Sequence, residues 1–340
     1  MPARAMTNAD AALMRAMVLN GRDRDLVEEL RRLPEPTGSQ VLVRVQACAV
    51  CRTDLHLQDG DLPQARLPVI PGHQAVGKVI ATGAQAILPV GARVGAAWLA
   101  WTCGECGFCR SGRENLCDRA EFHGCQRDGG FATHLLADSR YCLPMGQALP
   151  AVATAPLLCA GLIGFRSLRM AGDAATIGIY GFGSAAHLIT QVAVHEGRRV
   201  LAFTTPGDTA AQAFARETGA CWAGGSDAAA PEPLDAALIF APVGALVPKA
   251  LRDVRKGGAV ICGGIHMSDI PAFPYADLWG ERQIRSVANL TRRDGIEFME
   301  IAAATGIAAR VTSYPLAQAN TALADLRNGA INGTAVLDCR

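Results

Sequence analysis

The sequence predicts an α/β protein of two domains, one of them built on a doubly wound parallel sheet. Three observations support this prediction. The chain has 340 residues, which is more than one hydrophobic core usually supports. From residue 176 onward, strand-like and helix-like segments alternate, as a parallel sheet requires. Upstream, "VLVRV" alternates at Val41, Val43 and Val45 with the period of a β-strand.

Composition and charge exclude several classes of partner. A formal net charge of +1, with 19% charged residues, gives no broad electrostatic field to attract nucleic acid or an anionic membrane. The longest apolar run, "APLLCAGLIGF" at 155–165, is too short to cross a bilayer, and the first residues lack the apolar segment of a secretory signal. We therefore expect a soluble, cytoplasmic protein with no nucleic-acid or membrane partner.

The cysteines indicate metal binding rather than disulfides. The chain has 12 cysteines and no export signal, and four of them fall in "CGECGFCRSGRENLC". These four are Cys103, Cys106, Cys109 and Cys117. Four thiolates at this spacing fit one tetrahedral zinc ion and leave no open coordination position. The sequence therefore predicts a structural zinc site.

The segment "TIGIYGFGSAAHLITQVAVHEG" from Thr176 predicts a strand, a glycine-rich turn and a helix. Glycines in this turn let the backbone approach a pyrophosphate, whose charge is favoured by the free N–H groups at the helix start. An alanine takes the third position of the GxGxxG/A fingerprint. The candidate cofactor-binding residues of the turn are Gly181, Phe182, Gly183, Ser184 and Ala186.

The following segments strengthen the prediction of dinucleotide binding. "RRVLAF", "LDAALIF" and "GAVICGG" are typical of strands, and "DTAAQAFARETGA" and "ALVPKALRDV" between them are typical of helices. This alternation builds a doubly wound sheet, whereas a glycine triplet alone is weak support.

The end of the second strand of this unit bears on the choice of nucleotide. Thr204 and Thr205 stand where an acidic residue would hold a ribose 2'-hydroxyl. Threonine does not repel a 2'-phosphate, so NADP is slightly favoured. No arginine follows at once to pair with that phosphate, and NAD stays an alternative. Asp208 is predicted to cap the next helix.

Five motifs, in the order "CRTDLH", "PGHQAVG", "CGECGFCRSGRENLC", "LLCAG" and "GFGSAA", carry a family resemblance over nearly the whole chain. The chain resembles the zinc-dependent alcohol dehydrogenases of the medium-chain dehydrogenase/reductase superfamily. The resemblance implies a mainly β, GroES-like catalytic domain at 1–160 and 305–340, and a Rossmann domain at 161–304. It also implies two zinc ions per chain.

The resemblance further implies that Cys51, His73 and Cys159 hold a catalytic zinc ion. Two thiolates and a neutral imidazole leave a fourth position for water or a substrate oxygen. Taken singly, Cys159 would more often be a core thiol and His73 a hydrogen-bonded turn histidine. Their spacing alone does not identify them.

The same resemblance implies roles for four residues of "CRTDLH". Thr53 and His56 occupy the positions of a proton path to solvent, a task that suits histidine because it titrates near neutral pH. Asp54 would accept the other ring N–H of His73, and Arg52 would contact the cofactor pyrophosphate. The alternatives are a turn hydroxyl for Thr53, solvated side chains for His56 and Arg52, and a helix N-cap for Asp54.

Two positions depart from the family pattern. Most relatives have glutamate where this chain has Gln74, so a negative charge beside the metal is absent, and turnover and metal retention are both in question. Thr334 stands where some relatives have an arginine against the pyrophosphate. The aromatic stretch just before the zinc loop holds three candidate substrate-pocket residues, Trp98, Leu99 and Trp101, which could equally pack in the core.

Three functions remain open at this stage. The first is a dehydrogenase of small primary or secondary alcohols and the matching aldehydes or ketones. The second is a related reductase of polyols, aryl alcohols or glutathione adducts. The third is a non-catalytic zinc-binding relative, which only Gln74 supports.

By analogy with the family, a homodimer or homotetramer is expected. In the C-terminal segment, Leu316, Leu323 and Leu326 form a stripe that is predicted to be core.

Overall fold

The computed structural model describes residues 12–147, 149–265, 267–331 and 333–340. Its strands are Leu13–Val18 (β1), Val27–Arg32 (β2), Gln40–Val50 (β3), Ala75–Thr82 (β4), Arg93–Ala96 (β5), Leu99–Trp101 (β6), Glu121–Phe122 (β7), His134–Asp138 (β8), Cys142–Pro144 (β9), Thr176–Tyr180 (β10), Arg199–Thr204 (β11), Trp222–Gly225 (β12), Leu234–Ile239 (β13), Val254–Cys262 (β14), Gln283–Ser286 (β15), Val311–Pro315 (β16) and Thr334–Asp338 (β17).

The α-helices are Arg52–Gln58 (α1), Gly107–Arg110 (α2), Ala151–Thr154 (α3), Ala160–Met170 (α4), Ser184–His195 (α5), Thr209–Glu217 (α6), Leu246–Asp253 (α7), Tyr275–Leu278 (α8), Arg292–Thr305 (α9) and Ala319–Arg327 (α10). The chain divides into two compact units. The first runs to Leu158 and resumes at Arg310, and the second spans Cys159–Ala309. The boundaries predicted from the sequence lie after residues 160 and 304.

The first unit is built on a seven-stranded sheet, in the order β16-β17-β3-β4-β5-β9 with β8 also paired to β3. Strand β3 lies at its centre because it pairs antiparallel with β17, β4 and β8. Val41, Val43 and Val45 are buried, as their alternation predicts. This unit is therefore built on a large sheet of mainly antiparallel strands, which confirms the mainly β character expected for this part of the chain.

Helix α10 closes the core of the first unit. Leu323 is buried, and Leu316 is buried within the short 3-10 turn Leu316–Gln318 that precedes the helix. Leu326 packs against the same core from a partly exposed position. The predicted stripe is therefore part of the core.

The second unit contains a six-stranded, wholly parallel sheet in the order β12-β11-β10-β13-β14-β15. Numbered within the unit, this order is 3-2-1-4-5-6, that of a doubly wound dinucleotide-binding sheet. Inside it, the rings of Tyr180 and Phe203 stack with their centroids 4.3 Å apart. The predicted fold class is confirmed.

In the part of the chain that the structure describes, no single helix is long and apolar enough to span a membrane. The consecutive segments Ala151–Leu158 and Ala160–Met170 reach that length and composition only when they are taken together.

Candidate active site

The first candidate metal ligand lies where β3 ends and α1 begins. Cys51 is the N-cap of α1 and has an extended backbone. Asp54, three residues on, closes a capping box, because its Oδ2 accepts the Cys51 backbone N–H at 2.9 Å. The short sequence "CRTD" thus fixes both the start of the helix and the backbone that carries the Cys51 thiol.

The second ligand, His73, lies in the turn before β4. Gly72 precedes it with φ +94°, in the left-handed region, and an added Cβ there would collide with Phe131 and Cys48. His73 Nε2 lies 3.2 Å from Cys51 Sγ, and His73 Nδ1 lies 3.4 Å from Asp54 Oδ1. An Nδ1–H directed at the carboxylate leaves the lone pair of Nε2 for a metal.

The third residue, Cys159, directly follows the buried 3-10 segment Ala155–Leu158 and is the N-cap of α4. The ligand atoms of Cys51, His73 and Cys159 all lie within 4.8 Å of one another. Zinc bonds of about 2.0–2.3 Å can join three such atoms through one ion. Two sulfurs and an imidazole therefore fit zinc and leave one position open.

The electrostatics of this site favour a bound cation. Burial lowers the pKa of His73, but the negative charges of Cys51 and Asp54 outweigh it and raise that pKa to about 10. Burial also raises the pKa of the Asp54 carboxyl, which is only 3% exposed, while His73 lowers it. Such a site stabilises a positive charge between its donors, which is what a metal ion supplies.

The four cysteines of the zinc loop converge as the spacing predicts. Their ligand atoms lie within 4.8 Å of one another, with Cys103 Sγ 3.8 Å from Cys109 Sγ and 3.6 Å from Cys117 Sγ. A tetrahedron of Zn–S bonds of about 2.3 Å has edges of about 3.8 Å. The backbone N–H of Cys106 points to Cys103 Sγ, as in a loop that wraps an ion.

Neighbouring groups favour the thiolate form of Cys103 but not that of Cys117. The backbone N–H of Glu105 and, with a smaller effect, the Arg119 side chain lower the pKa of Cys103 to about 6. Burial raises the pKa of Cys117 to about 11, so that thiol needs a metal to lose its proton at neutral pH. Arg119 also pairs with the Glu105 carboxylate. Arg119 could not be predicted from the sequence, because nothing in the cysteine spacing indicates it.

The two residues of the predicted proton path lie on α1. Thr53 and His56 are three residues apart, so they are neighbours on the helix surface. Both are partly exposed, and His56 Nδ1 lies 2.8 Å from Asp61 Oδ2. Asp61 was also missed, because it follows the helix and no motif includes it. Arg52, at the start of the same helix, is exposed.

Gln74 is fully buried behind His73. Its Nε2 donates to the carbonyl of Ala49 at 3.4 Å, and its Oε1 has no hydrogen-bond partner among the residues described. The Trp98 ring meets the His73 ring edge-on at 5.1 Å and stacks on Phe122. Trp98 is therefore the aromatic neighbour of this site.

The other two pocket candidates lie differently. Leu99 is 3% exposed and belongs to the core, the alternative that the sequence left open. Trp101 is partly exposed, and its ring contacts the guanidinium of Arg127 at 5.9 Å.

The glycine-rich turn lies between β10 and α5, as predicted. Gly181 has φ +88° and stands against Ala241, so a larger residue would be strained there. Gly183 is the N-cap of α5, and open space surrounds the position of an added Cβ. Ser184 begins the helix, Ala186 is buried, and the Phe182 ring contacts that of Phe214 edge-on. The turn thus leaves room for a ligand at the N-terminus of a helix of 12 residues.

The two threonines after this turn differ in exposure. Thr204 is buried and its hydroxyl donates to the carbonyl of Gly224 at 3.3 Å, whereas Thr205 is exposed. Asp208 caps α6 by accepting the Ala211 backbone N–H at 2.9 Å, as predicted. At the C-terminal strand, Thr334 is buried, and its backbone N–H donates to the carbonyl of Arg310.

Asp54→Asn is expected to weaken zinc binding at the Cys51 centre roughly 10- to 100-fold, because an amide supports His73 less well than a carboxylate. Competition with a chromogenic chelator would measure this affinity. Asp59→Asn removes a carboxylate from the other end of α1, where Asp59 pairs with Arg327, and should leave the affinity unchanged. Equal zinc retention in the two variants would contradict the role of Asp54.

Comparisons of this sequence with a family model and with curated proteins agree with one another. The family model "Alcohol dehydrogenase GroES-like domain" matches residues 37–147. The chain is 45% identical over 317 residues to the probable alcohol dehydrogenase AdhA of Mycobacterium tuberculosis, a match that covers 90% of each chain. It is 34% identical to an alcohol dehydrogenase of Geobacillus stearothermophilus, over 92% of this chain and 95% of that one.

Solved structures agree with this comparison. AibC superposes with a TM-score of 0.88 at 28% identity and covers 99% of both chains. Acetophenone reductase from Geotrichum candidum in complex with NAD has a TM-score of 0.84 at 25% identity, over 96% of this chain and 97% of that one. CAD from Helicobacter pylori complexed with NADP(H) has a TM-score of 0.87, over 97% and 99%, and at 19% identity it shows the fold alone.

Proposed function

Because the chain belongs to the zinc-dependent alcohol dehydrogenases of the medium-chain superfamily, we propose that it transfers a hydride between small primary or secondary alcohols and NAD(P), and acts in reverse on the matching aldehydes or ketones. The observation that supports this most is the convergence of Cys51, His73 and Cys159 within 4.8 Å. Such a set, which leaves one coordination position open, is typical of catalytic zinc.

Cys51, His73 and Cys159 would hold the catalytic ion, and the four cysteines of the loop would hold a structural one. When bound, the catalytic zinc supplies a Lewis acid that makes the hydroxyl of an alcohol easier to deprotonate. Asp54 orients His73 by accepting at Nδ1, and so keeps Nε2 directed at the ligand position. The Trp98 ring packs edge-on against His73, which is 1% exposed.

The hydroxyl proton has to reach solvent during alcohol oxidation. We assign its transfer to Thr53 and His56, which lie next to each other on α1. The hydroxyl of Thr53 can accept a proton and donate one, and a histidine ring can do the same near neutral pH. His56 Nδ1 lies 2.8 Å from Asp61 Oδ2, so this carboxylate holds the orientation of the ring.

His56→Gln is expected to lower the rate of alcohol oxidation roughly tenfold below about pH 7 and only slightly above about pH 9. At high pH, hydroxide can take the proton directly, so the histidine is no longer needed. A pH profile of kcat/KM measures the effect. His195→Gln removes an exposed histidine from the end of α5 and should leave the profile unchanged. Parallel profiles for wild type and His56→Gln would exclude the relay.

For the cofactor, we propose binding at the turn that holds Gly181 to Ser184, with Ala186 packed beneath it and Arg52 contributing to the pyrophosphate. NADP is slightly favoured over NAD because Thr205 is exposed and carries no charge to repel a 2'-phosphate. NAD remains the alternative, since no arginine follows the two threonines at once to pair with that phosphate.

Initial rates with NADH and NADPH over a panel of aldehydes and ketones would test the proposed function. We expect reduction of small aldehydes, because Trp98 narrows the site beside His73. Preferred turnover of polyols, aryl alcohols or glutathione adducts would support the related reductases instead. No turnover in a preparation that holds two zinc ions per chain would contradict both, and would point to a non-catalytic relative.

We propose a homodimer or homotetramer formed through the edge strand β15 of the second unit. Three of the four residues of β15 are exposed, and Tyr275 and Trp279 before it are 68% and 65% exposed. Burial of these aromatic rings would favour association. Light scattering is expected to give a multiple of the chain mass, and Trp279→Ser is expected to lower it. A monomer at micromolar concentration would contradict the proposal.

A further inference from the structure

A row of positive charges crosses the central sheet of the first unit. Arg44 of β3 stands directly opposite Lys78 of β4, and Lys78 stands directly opposite Arg93 of β5. Directly opposite residues on antiparallel strands share a face of the sheet, and like charges there destabilise it. Within the described ranges, none of the three is in an ion pair with a carboxylate. The row therefore carries positive charge that the described side chains do not neutralise.

A pocket of about 270 Å³ lies over two members of this row. Lys78 and Arg93 line it together with two amide side chains, Gln46 and Gln147. Arg340 also lines it, but its guanidinium is already engaged by both carboxylate oxygens of Asp338. The positive charge that the pocket offers to a ligand is thus that of Lys78 and Arg93.

Arg93 is only 7% exposed, which is unusual for an arginine without an acidic partner. Its guanidinium donates to the carbonyls of Gly146 and Leu149 and to the Thr154 hydroxyl, and all three acceptors are neutral. Burial lowers the pKa of Arg93. A buried charge that is hydrogen-bonded but not neutralised is costly, and an anion beside it would remove much of that cost.

We propose that this pocket binds the phosphate group of a small anionic molecule. A phosphate carries up to two negative charges and can neutralise Lys78 and Arg93 together. An arginine fork and a lysine ammonium are common phosphate-binding groups, and the amides of Gln46 and Gln147 add hydrogen bonds to its oxygens. The volume lies just below the roughly 300–1,000 Å³ of small-molecule pockets, so a phosphate ester of a few carbons fits better than a large ligand.

Binding of a phosphate in this pocket would affect the segment that leads to Cys159, the third candidate zinc ligand. Arg93 donates to Gly146, Leu149 and Thr154, and from residue 149 the chain continues through α3 and Ala155–Leu158 to Cys159. A phosphate that fixes Arg93 would therefore reduce the opening of this segment. Slower amide exchange at residues 149–154 is a readout that binding at the glycine-rich turn would not produce.

Isothermal titration of the zinc-containing enzyme with inorganic phosphate and with glycerol 3-phosphate, together with hydrogen exchange, tests the proposal. We expect saturable binding, slower exchange at 149–154, and roughly tenfold weaker binding in Lys78→Gln. Lys78 is exposed, so this variant should fold normally. Lys256→Gln removes the same charge from an exposed site on the second unit and should bind phosphate like the wild type.

Tighter binding of glycerol 3-phosphate would assign the pocket to an organic phosphate, and equal affinities would assign it to the inorganic ion. Two results would overturn the proposal. One is equal affinity in wild type and Lys78→Gln, which would place the binding elsewhere. The other is the absence of saturable binding of either probe below about 10 mM.

Discussion

Cys51→Ala is expected to lower kcat/KM for alcohol oxidation roughly ten-thousandfold and to leave one zinc ion per chain instead of the two proposed for the wild type. Loss of one thiolate leaves His73 and Cys159 as the remaining donors, too few for a stable zinc site in this protein. Elemental analysis together with initial rates would measure both effects on the same preparation.

The matched control for this substitution is Cys48→Ala. Cys48 lies three residues earlier on β3 and is fully buried, but it is not one of the converging ligands. This variant should keep two zinc ions and most of the activity, although it loses some stability. Full activity of Cys51→Ala, or two zinc ions bound to it, would refute the assignment of the catalytic centre.

Cys109→Ser is expected to release the structural zinc and lower Tm by roughly 10 °C, while the Cys51 centre keeps its ion. Helix α2, which carries Cys109, has no buried residue, so apolar packing contributes little to its position. A bound zinc ion would therefore supply much of the folding free energy of this loop. Scanning calorimetry and metal analysis would measure the two effects.

Cys221→Ser is the appropriate control for this second variant, because Cys221 is exposed and belongs to neither metal group. Its Tm and zinc content should match those of the wild type. If Cys109→Ser kept the wild-type Tm, the four cysteines would not be stabilising the fold through a metal.

The two candidate metal centres differ in how far the sequence alone predicts them. Cys103 to Cys117 fall within 15 residues, so their spacing already describes a closed four-ligand site. Cys51, His73 and Cys159 are separated by 22 and 86 residues, and only the fold brings them together. Their prediction required the family resemblance, because local spacing holds no information about such contacts.

The sequence predicted the main strands of the doubly wound sheet but not β12 and β15. Their sequences, "WAGG" and "QIRS", are short and lack a β-branched run. Both strands lie at the edges of the sheet, so they form because β11 and β14 offer unpaired backbone groups. Whether such a segment forms a strand depends on its pairing with a neighbouring strand in the folded protein. Local sequence propensity does not predict this pairing.

Residues whose role depends on contacts made in the folded protein could not be predicted from the sequence either. Arg119 lies near Cys103, and Asp61 pairs with His56, yet neither belongs to a motif. Trp98 was a candidate, but the structure was needed to show which aromatic residue meets His73 and that Leu99 packs in the core.

The two oxygens of Asp54 serve three N–H groups, those of the Cys51 backbone, the Gly72 backbone and the His73 ring. Helix start, glycine turn and imidazole are therefore aligned by a single side chain that has little contact with water. Most substitutions at Asp54 would disturb all three together, whereas the Trp98 side chain meets His73 only through its ring. A redesign for another substrate should therefore alter Trp98 and leave the Asp54 carboxylate unchanged.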